Sequence, residues 1–505
     1  MLTVTDLFCG AGGSSSGAEL VPGVRVRMAA NHWRLAVETH NTNLPHADHD
    51  VADISQVDPR RYPTTDILWA SPECTNHSQA KGARRADRQP DLFGDRLPDE
   101  AAERSRATMW DVLRFAEHHR YRAIVVENVV EVRDWVMWPA WVTGLDNLGY
   151  AHQVVYLNSM FARAAGAPAP QSRDRLYVVA WRKGDRAPDI PKWTRPPAWC
   201  PRCEKTVRAV QSWKRPDRPR GRYGQQYVYR CPNLDCRGQQ VFPDVLPAAV
   251  AIDWTLPGGR IGDRPRPLAP KTLARIEAGL RRYARPLHIE AAGHTYERRP
   301  GVRAWPVDEP LRTIHTTASK ALVVPLRNNG VARPAATSPA PTVAAAGNHH
   351  ALVMRNHTAR GDQGQMCTPI TQPLRTILAD GPRPSLIRWD HLLVPYYGNS
   401  AARPVGEPMG TVTTVDRNAL VGPEVAVEDC TFRMLEPHEI QAAMAFPPGY
   451  VVLGNKRERV RQLGNAVTPP AARDLIAAVV EAITGADLEP TNPAAQSTVP
   501  AGRNP

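Results

Sequence analysis

Cys74 lies in the loop part of the segment TDILWASPECTNHS, in which an apolar strand pattern runs into a polar loop. In a parallel sheet such a strand ends at the carboxyl edge, where a thiol can be presented to a substrate. A lone cysteine after a strand is more often packing than chemistry, so a nucleophile requires a partner set. Two further strand ends supply one: AIVVENV carries Glu127 and Asn128, and QSRDRLYVVAW carries Gln171, Arg173 and Arg175. A carboxylate buried at a strand end is costly alone, and it calls for an arginine, a cofactor or a substrate as partner. A structural Glu–Arg pair would meet the same need.

The run Asp6-Leu7-Phe8-Cys9-Gly10-Ala11-Gly12-Gly13 follows a β-rich start and precedes a helical pattern, so its glycines let the backbone pass close to a bound cofactor. A nucleotide-binding oxidoreductase would use a similar turn, with the glycines spaced for a pyrophosphate. Asp53-Ile54, after the second candidate strand, places a carboxylate where it can accept a hydrogen bond from a cofactor's polar edge. Taken singly it reads equally as a surface-loop aspartate.

Of the eight cysteines, four are closely paired. Cys200 and Cys203 form a C-x2-C pair, and Cys231 and Cys236 a C-x4-C pair, with 27 residues between them. In a reducing compartment this spacing points to a tetrahedral zinc site rather than to disulfides. The intervening stretch holds Lys205, Arg208, Lys214, Arg215, Arg218, Arg220 and Arg222 with Trp213, Tyr223, Tyr227 and Tyr229. Such a knuckle either touches DNA or braces its domain.

The elements that must position these residues follow from the apolar rhythm. Over roughly the first 180 residues, short apolar runs alternate with helical patterns, the signature of an α/β parallel sheet covered on both faces. LTVTDLF, TDILWA, AIVVEN and RLYVVAW are the clearest strands. The Pro-rich run APDIPKWTRPPAWCP between Ala187 and Pro201 breaks the rhythm and marks a boundary. From Pro310 a motif recurs as PLRTI, PAPTV, PLRTI and PMGTV, its copies beginning 29, 34 and 35 residues apart. Apolar triplets follow at Ala321-Leu322-Val323, Ala351-Leu352-Val353, Leu392-Leu393-Val394 and Ala419-Leu420-Val421. These read as four turn-and-strand repeats. Helical spacing returns at EPHEIQAAMAF and PPAARDLIAAVVEAIT, before a Pro-rich tail that reads as disordered.

Lys and Arg number 63 against 50 Asp and Glu, a net charge of +13 that favours a polyanionic partner, although an Arg-rich composition would give the same excess. No apolar run reaches the ~18 residues of a membrane span, and the N-terminus lacks signal-peptide segments, so a cytoplasmic protein is expected.

Taken together, the ordered motifs resemble those of the DNA cytosine-5 methyltransferase family. DLFCGAGG is similar to its cofactor loop, SPECTNHS to its nucleophile loop, ENV to its glutamate motif and QSRDR to its Gln-x-Arg-x-Arg motif. RMLEPHEIQAAMAFP and QLGNAVTPP are similar to its returning segments. The resemblance implies an S-adenosylmethionine-dependent, Rossmann-like mixed sheet of about seven strands, one antiparallel, with an inserted, mostly β target-recognition domain that here would carry the zinc knuckle. It implies a catalytic part at 1–186, a recognition region at 187–428 (knuckle 200–236, repeats 309–421), a return segment at 429–484 and a tail at 485–505.

Residue roles carry over from the same resemblance. Cys74 would add to C6 of the cytosine, Glu127 would hold and protonate the N3 edge, and Arg175 would bind O2, with Arg173 beside it. Phe8, Gly10, Ala11, Gly12, Gly13, Asp53, Ile54, Asn465 and Ala466 would contact S-adenosylmethionine. Two departures stand out. The family's Pro-Cys pair reads Pro72-Glu73-Cys74 here, and its ribose-binding glutamate at the end of the second strand is replaced by His32, followed by Trp33, which could stack on the adenine. The basic loop with Lys81, Arg84, Arg85 and Arg88 would close over DNA. The partners implied are double-stranded DNA and, in a restriction-modification setting, a separate cognate endonuclease; phage self-protection and an orphan role fit equally. The chain is expected to be a bacterial or phage-encoded monomer. The rival readings are an RNA cytosine-5 methyltransferase and a catalytically silent DNA-binding paralogue.

Overall fold

The computed structural model describes residues 1–73, 100–246 and 431–489 continuously, with shorter stretches between 248 and 429. Cys74, Cys430, Lys81, Arg84, Arg85, Arg88 and the tail from 490 lie outside the described residues. The chain divides into two compact units. The first comprises Met1–Ile252, Gln372–Gly381 and Glu436–Pro505, and the second Asp253–Thr371 and Pro382–Leu435.

The first unit opens with β1 (Leu2–Leu7), α1 (Gly13–Glu19), β2 (Val24–Asn31), α2 (Arg34–Asn43), β3 (Asp48–Val51) and β4 (Ile67–Ala70). It continues through α3 (Glu100–His119), β5 (Ala123–Asn128), α4 (Trp138–Asn147), β6 (Tyr150–Asn158), β7 (Gln171–Ser172) and β8 (Asp174–Arg182). The main sheet has seven strands in the order β3-β2-β1-β4-β5-β8-β6. Strand β8 runs antiparallel to β5 and β6, whereas the pairs from β3 to β5 are parallel. This is the mixed α/β sheet that the motif order implied. β4 and β5 are buried throughout, which is why TDILWA and AIVVEN read as unbroken apolar runs rather than alternating ones.

Each face of this sheet packs on helices. Leu68, Ile124, Val126 and Val178 meet Met109, Val112 and Phe115 of α3 and Trp141 and Leu145 of α4. On the other face Val4, Ile67, Trp69, Val125 and Tyr177 meet Leu475, Ile476 and Val479, which come from the far end of the chain. Chain order reverses between β1 and β4, so the carboxyl ends of these strands flank a topological switch point, the place where open α/β sheets bind ligands.

After α5 (Ile190–Thr194) a small five-stranded sheet forms from β9 (Pro197–Cys200), β10 (Lys205–Arg208), β11 (Val210–Trp213), β12 (Tyr227–Arg230) and β13 (Gln240–Pro243), in the order β10-β9-β13-β12-β11. The sequence reading grouped this knuckle with the region beginning at 187. In the structure it belongs to the first compact unit, because its aromatic residues pack on β6 and the turn that follows it: Phe161 lies edge-on to Tyr223 and Tyr229 at 4.7 and 5.0 Å, and Tyr156 to Trp213 at 5.1 Å.

The second unit is described mainly through its strands, β14 (Gly259–Arg260), β15 (Leu287–Glu290), β16 (Ala304–Pro306), β17 (Lys320–Val323), β18 (His350–Met354) and β19 (Cys367–Pro369). β20 (Leu374–Arg375) belongs to the first unit and pairs with β7. Then follow β21 (Ser385–Trp389), β22 (Leu392–Pro395), β23 (Arg403–Pro404), β24 (Asn418–Val421) and β25 (Thr431–Met434). All four apolar triplets lie on strands, β17, β18, β22 and β24. The last two pair with each other, Leu393 opposite Leu420.

The chain returns to the first unit through α6 (Pro437–Ala443), α7 (Lys456–Asn465) and α8 (Pro469–Thr484). Both α6 and α7 begin with capping boxes, Glu436 with Glu439 and Asn455 with Glu458. α8 lies against α1 so closely that a Cβ on Gly17 would stand 2.3 Å from the Pro469 carbonyl. Buried Asp474 ties α8 to the link after β6 by accepting the amides of Ala164 and Ala165 at 2.9 and 3.1 Å. Among the described residues no helix is long and apolar enough to cross a membrane.

Candidate active site

Three strand ends meet at the switch point. β1 delivers Phe8 and the glycine loop, β2 delivers His32 and Trp33, and β4 runs into Ser71-Pro72-Glu73, the last described residues before Cys74. Ala70 pairs with Val126, so Glu127 stands one residue past the pair on β5. The side-chain amide of Asn128 donates to the Pro72 carbonyl at 3.3 Å, and its oxygen accepts from the Val129 amide at 2.8 Å. This buried clamp ties the glutamate strand to the loop that carries Cys74. The sequence named Asn128 only as Glu127's neighbour.

Glu127 and Arg175 face each other across the antiparallel β5–β8 pair. Arg175 Nε lies 2.8 Å from Glu127 Oε1, with only 13 and 10 % of the two side chains exposed. The arginine partner required by the buried carboxylate is therefore Arg175. Arg173 behaves differently. It is 2 % exposed, and its Nη2 donates to the carbonyls of Gly464 and Ala466 at 3.0 Å each. Arg173 lies in the link between β7 and β8, and its guanidinium binds the return segment on both sides of Asn465. Asn465, at the end of α7, is itself exposed. Gln171 is fully buried, and neither end of its amide has a partner among the described residues.

The glycine loop separates into two kinds of position. Gly10 has φ +51°, and nothing lies within 4 Å of where its Cβ would be, so the loop backbone is open to a ligand on that side. At Gly12, φ +82°, a Cβ would stand 2.5 Å from Tyr450 Oη, and at Gly13 it would stand 2.0 Å from the Val467 carbonyl. These two glycines are needed by the packing of the return segment on the loop. Tyr450 Oη also donates to the Ala11 carbonyl at 2.6 Å. Phe8 too has a left-handed backbone, φ +60°, which turns the chain out of β1 into the loop.

Behind the loop runs a buried polar chain that the sequence reading did not find. Asp6 Oδ2 accepts from Ser14 and Ser15 at 2.6 Å each, Ser15 Oγ lies 2.9 Å from His40 Nε2, and His40 Nδ1 lies 2.7 Å from His49 Nε2. Burial pushes the Asp6 carboxyl up to about 7 against its serine donors, and burial together with His49 holds the His40 imidazole down at about 3. Burial and the neighbouring Asp6 raise the Cys9 thiol far above the ordinary cysteine range, which makes it inert.

The remaining cofactor candidates line the same edge. Asp53 is exposed, and its Oδ1 caps the short 3-10 turn Ile54–Gln56 by accepting the Ser55 amide at 3.1 Å. Ile54 is buried in the core with Phe8. The Trp33 ring carries the Arg461 guanidinium 4.7 Å from its centroid, which again brings α7 to the edge. The two departures from the family pattern meet: His32 Nδ1 lies 3.4 Å from Glu73 Oε1, both well exposed. The Glu73 carboxylate is thus turned toward the end of β2.

The four paired cysteines converge. Their sulfurs all lie within 4.8 Å of one another, with Cys200 and Cys236 at 3.7 Å and Cys203 and Cys231 at 3.9 Å. A disulfide needs about 2.05 Å, whereas the edge of a zinc tetrathiolate tetrahedron with ~2.3 Å bonds is about 3.8 Å. The donor set fits a structural Zn2+.

Comparison with known proteins agrees with the motif order. The family model for C-5 cytosine-specific DNA methylases matches residues 2–229. Type II methyltransferase M.NlaX of Neisseria lactamica is 30% identical over 188 residues, 37% of this chain and 54% of that protein. Type II methyltransferase M.SsoII of Shigella sonnei is 26% identical over 179 residues, 35% of this chain and 42% of that protein. The chain therefore spans about half the length, or less, of these curated relatives. A solved structure of a Spodoptera frugiperda DNMT2 mutant aligns with 95% of this chain and 100% of its own, at 12% identity and a TM-score of 0.45.

Proposed function

From the match of residues 2–229 to the C-5 cytosine-specific DNA methylase family, we propose that this chain methylates carbon 5 of a cytosine flipped out of double-stranded DNA. The observation that carries the proposal is the largely buried ion pair in which Glu127 and Arg175 stand 2.8 Å apart, beside the loop that leads to Cys74. S-adenosylmethionine, when bound, supplies an electrophilic methyl group.

Cytosine C5 is a poor nucleophile until the ring becomes an enamine. The Cys74 thiolate forms a bond to C6, and Glu127 delivers a proton to N3 as electron density moves through the ring. Arg175 donates to O2 and orients the base. C5 would then take the methyl group as the donor's sulfonium S–CH3 bond breaks and its sulfur leaves as a neutral thioether; loss of the C5 proton to solvent and cleavage of the C6–sulfur bond would restore aromaticity and free Cys74. In the unliganded pair Arg175 neutralises Glu127, and base entry would exchange that partner for the ring's O2 and N3. Phe8, Gly10, Trp33, Asp53 and Asn465 would hold the methyl donor at the switch point. The second unit, with its antiparallel strands, would read the target sequence, and the return segment would complete the catalytic domain. Cys200, Cys203, Cys231 and Cys236 would hold one structural Zn2+. The relatives' description as Type II methyltransferases supports a restriction-modification setting with a separate endonuclease, and the protein would act as a monomer.

The test is incubation with unmethylated DNA and S-adenosylmethionine, followed by base-resolution mapping of 5-methylcytosine. Methylation at one recurring motif, absent with Cys74→Ser, is expected. A wild-type protein that binds DNA but transfers no methyl group would overturn the reading.

A further inference from the structure

The four-cysteine module grips both strands that carry the Glu127–Arg175 pair. On the β8 side, Asp174 sits between Arg173 and Arg175, and its Oδ1 accepts from the Tyr223 amide at 3.1 Å and from Tyr227 Oη at 3.2 Å. Burial raises the Asp174 carboxyl, and the module's donors pull it back down. On the β5 side, the turn Val130–Asp134 follows Glu127 and Asn128, and there Arg222 pairs with Glu131 and Arg220 with Asp134. Two of the basic residues for which the sequence left open DNA contact or bracing of the domain thus hold the module on the seven-stranded sheet.

The grip is continuous with the cysteine cluster. Cys200 ends β9, and Cys231 directly follows β12, which carries Tyr227 and Tyr229. Gln211 Nε2 donates to the Tyr156 carbonyl at 3.1 Å, and Trp213 packs edge-on to Tyr227 at 5.2 Å. Cys200, Cys231 and Cys236 belong to the same small apolar core as Phe161, Tyr227 and Tyr229. A core of this size with four unligated thiols has little to hold its strands together, and metal ligation is the ordinary remedy.

We propose that the zinc-held module positions the Glu127–Arg175 pair for catalysis, with Asp174 and Tyr227 as the positioning residues and the Arg220 and Arg222 ion pairs as the second anchor. The inference rests on the methyltransferase reading for its catalytic consequence, but not for its structural one. Ligation at the cysteine corner fixes β12, β12 fixes Asp174, and Asp174 fixes the register at the start of β8 from which Arg175 projects. Loss of the metal would leave the seven-stranded sheet folded and the pair displaced.

The experiment uses the whole 505-residue chain. Elemental analysis should give one zinc per chain. Removal of the metal should then speed hydrogen exchange at the amides of Asp174–Tyr177 and Val130–Asp134, with little change in β1 and β4. These two readouts hold whether or not the protein methylates DNA. Because Cys231→Ser may fail to fold, Tyr227→Phe is the second variant, since it removes one hydroxyl and keeps the ring. It should retain zinc and the wild-type melting temperature, lower kcat about tenfold and leave KM for S-adenosylmethionine unchanged. Zinc-free protein with wild-type exchange in β8, or Tyr227→Phe with wild-type kcat, would overturn the proposal. Absence of methylation in the wild type, with exchange responding to zinc as expected, would count against the enzymatic reading alone.

Discussion

At the scale of single residues, the site depends as much on groups that hold the reactive side chains as on the reactive side chains themselves. Asn128 is the clearest case: its amide bridges the glutamate strand and the Pro72 carbonyl, two residues before Cys74. A buried hydrogen bond of this kind contributes about 0.5–1.5 kcal/mol net, so Asn128→Ala should slow single-turnover methylation by roughly three- to tenfold with the fold intact. An unchanged rate would show that the loop is placed by something else. Asp6 gives a prediction about pH. Unfolded, its carboxyl ionises near 3.8, and folded, near 7. The native state therefore holds an extra proton between those values, and this contribution to stability, full below pH ~4, is lost as pH rises through about 7. The difference corresponds to about 4 kcal/mol as an upper figure. Asp6→Asn should therefore gain stability relative to wild type on going from pH 5 to pH 8 in urea unfolding, and parallel pH curves for the two proteins would refute the assignment.

At the scale of elements, the glycine loop shows what the sequence carried and what it did not. Its position after a strand and before a helix was legible, as were the strands whose termini carry Glu127 and Arg175, because local apolar patterning dictates all of them. The division of labour among its glycines was not, since Gly12 and Gly13 are constrained by Tyr450 and Val467, more than four hundred residues away. The same long-range dependence hid the role of Arg173, whose partners are main-chain carbonyls of the return segment, and the docking of the knuckle, which rests on Asp174 and two ion pairs rather than on any periodicity. Two substitutions separate the two kinds of glycine. Gly13→Ala forces the Val467 carbonyl to move, and overpacking of this sort costs about 1–3 kcal/mol, so it should lower the urea midpoint well below wild type. Gly10→Ala meets no neighbour and carries only the left-handed backbone penalty of about 1–2 kcal/mol, but it places a methyl group in the open side of the loop. Its main effect should be a several-fold weaker affinity for S-adenosylmethionine, measured calorimetrically. If Gly10→Ala bound the cofactor normally, that open side would not be the binding surface.

At the scale of the whole molecule, one face of the catalytic sheet is built from the two ends of the chain. Leu475, Ile476, Val479 and Val480 of α8 cover Val4, Ile67, Trp69 and Val125. Burying a large apolar side chain is worth about 1.5–3 kcal/mol, so these four contribute roughly 6–12 kcal/mol, comparable with the entire ~5–15 kcal/mol net stability of a domain. Polar contacts add specificity. Ser159 and Thr468 share a buried hydrogen bond at 2.6 Å, and Arg173 and Asp474 each bind main chain across the seam. A chain truncated after Leu435 should therefore lose cooperative unfolding and near-ultraviolet circular dichroism, although all the motifs from the glycine loop to QSRDR remain in it. Because the missing piece is a set of helices, two of them opened by capping boxes, whose apolar residues complement the exposed sheet face, co-expression of 436–505 as a separate chain should restore both signals, and with them cofactor binding. A truncated chain that melted cooperatively near the wild-type temperature would mean that the sheet does not depend on α8, and the discontinuous domain described here would be wrong in its energetics.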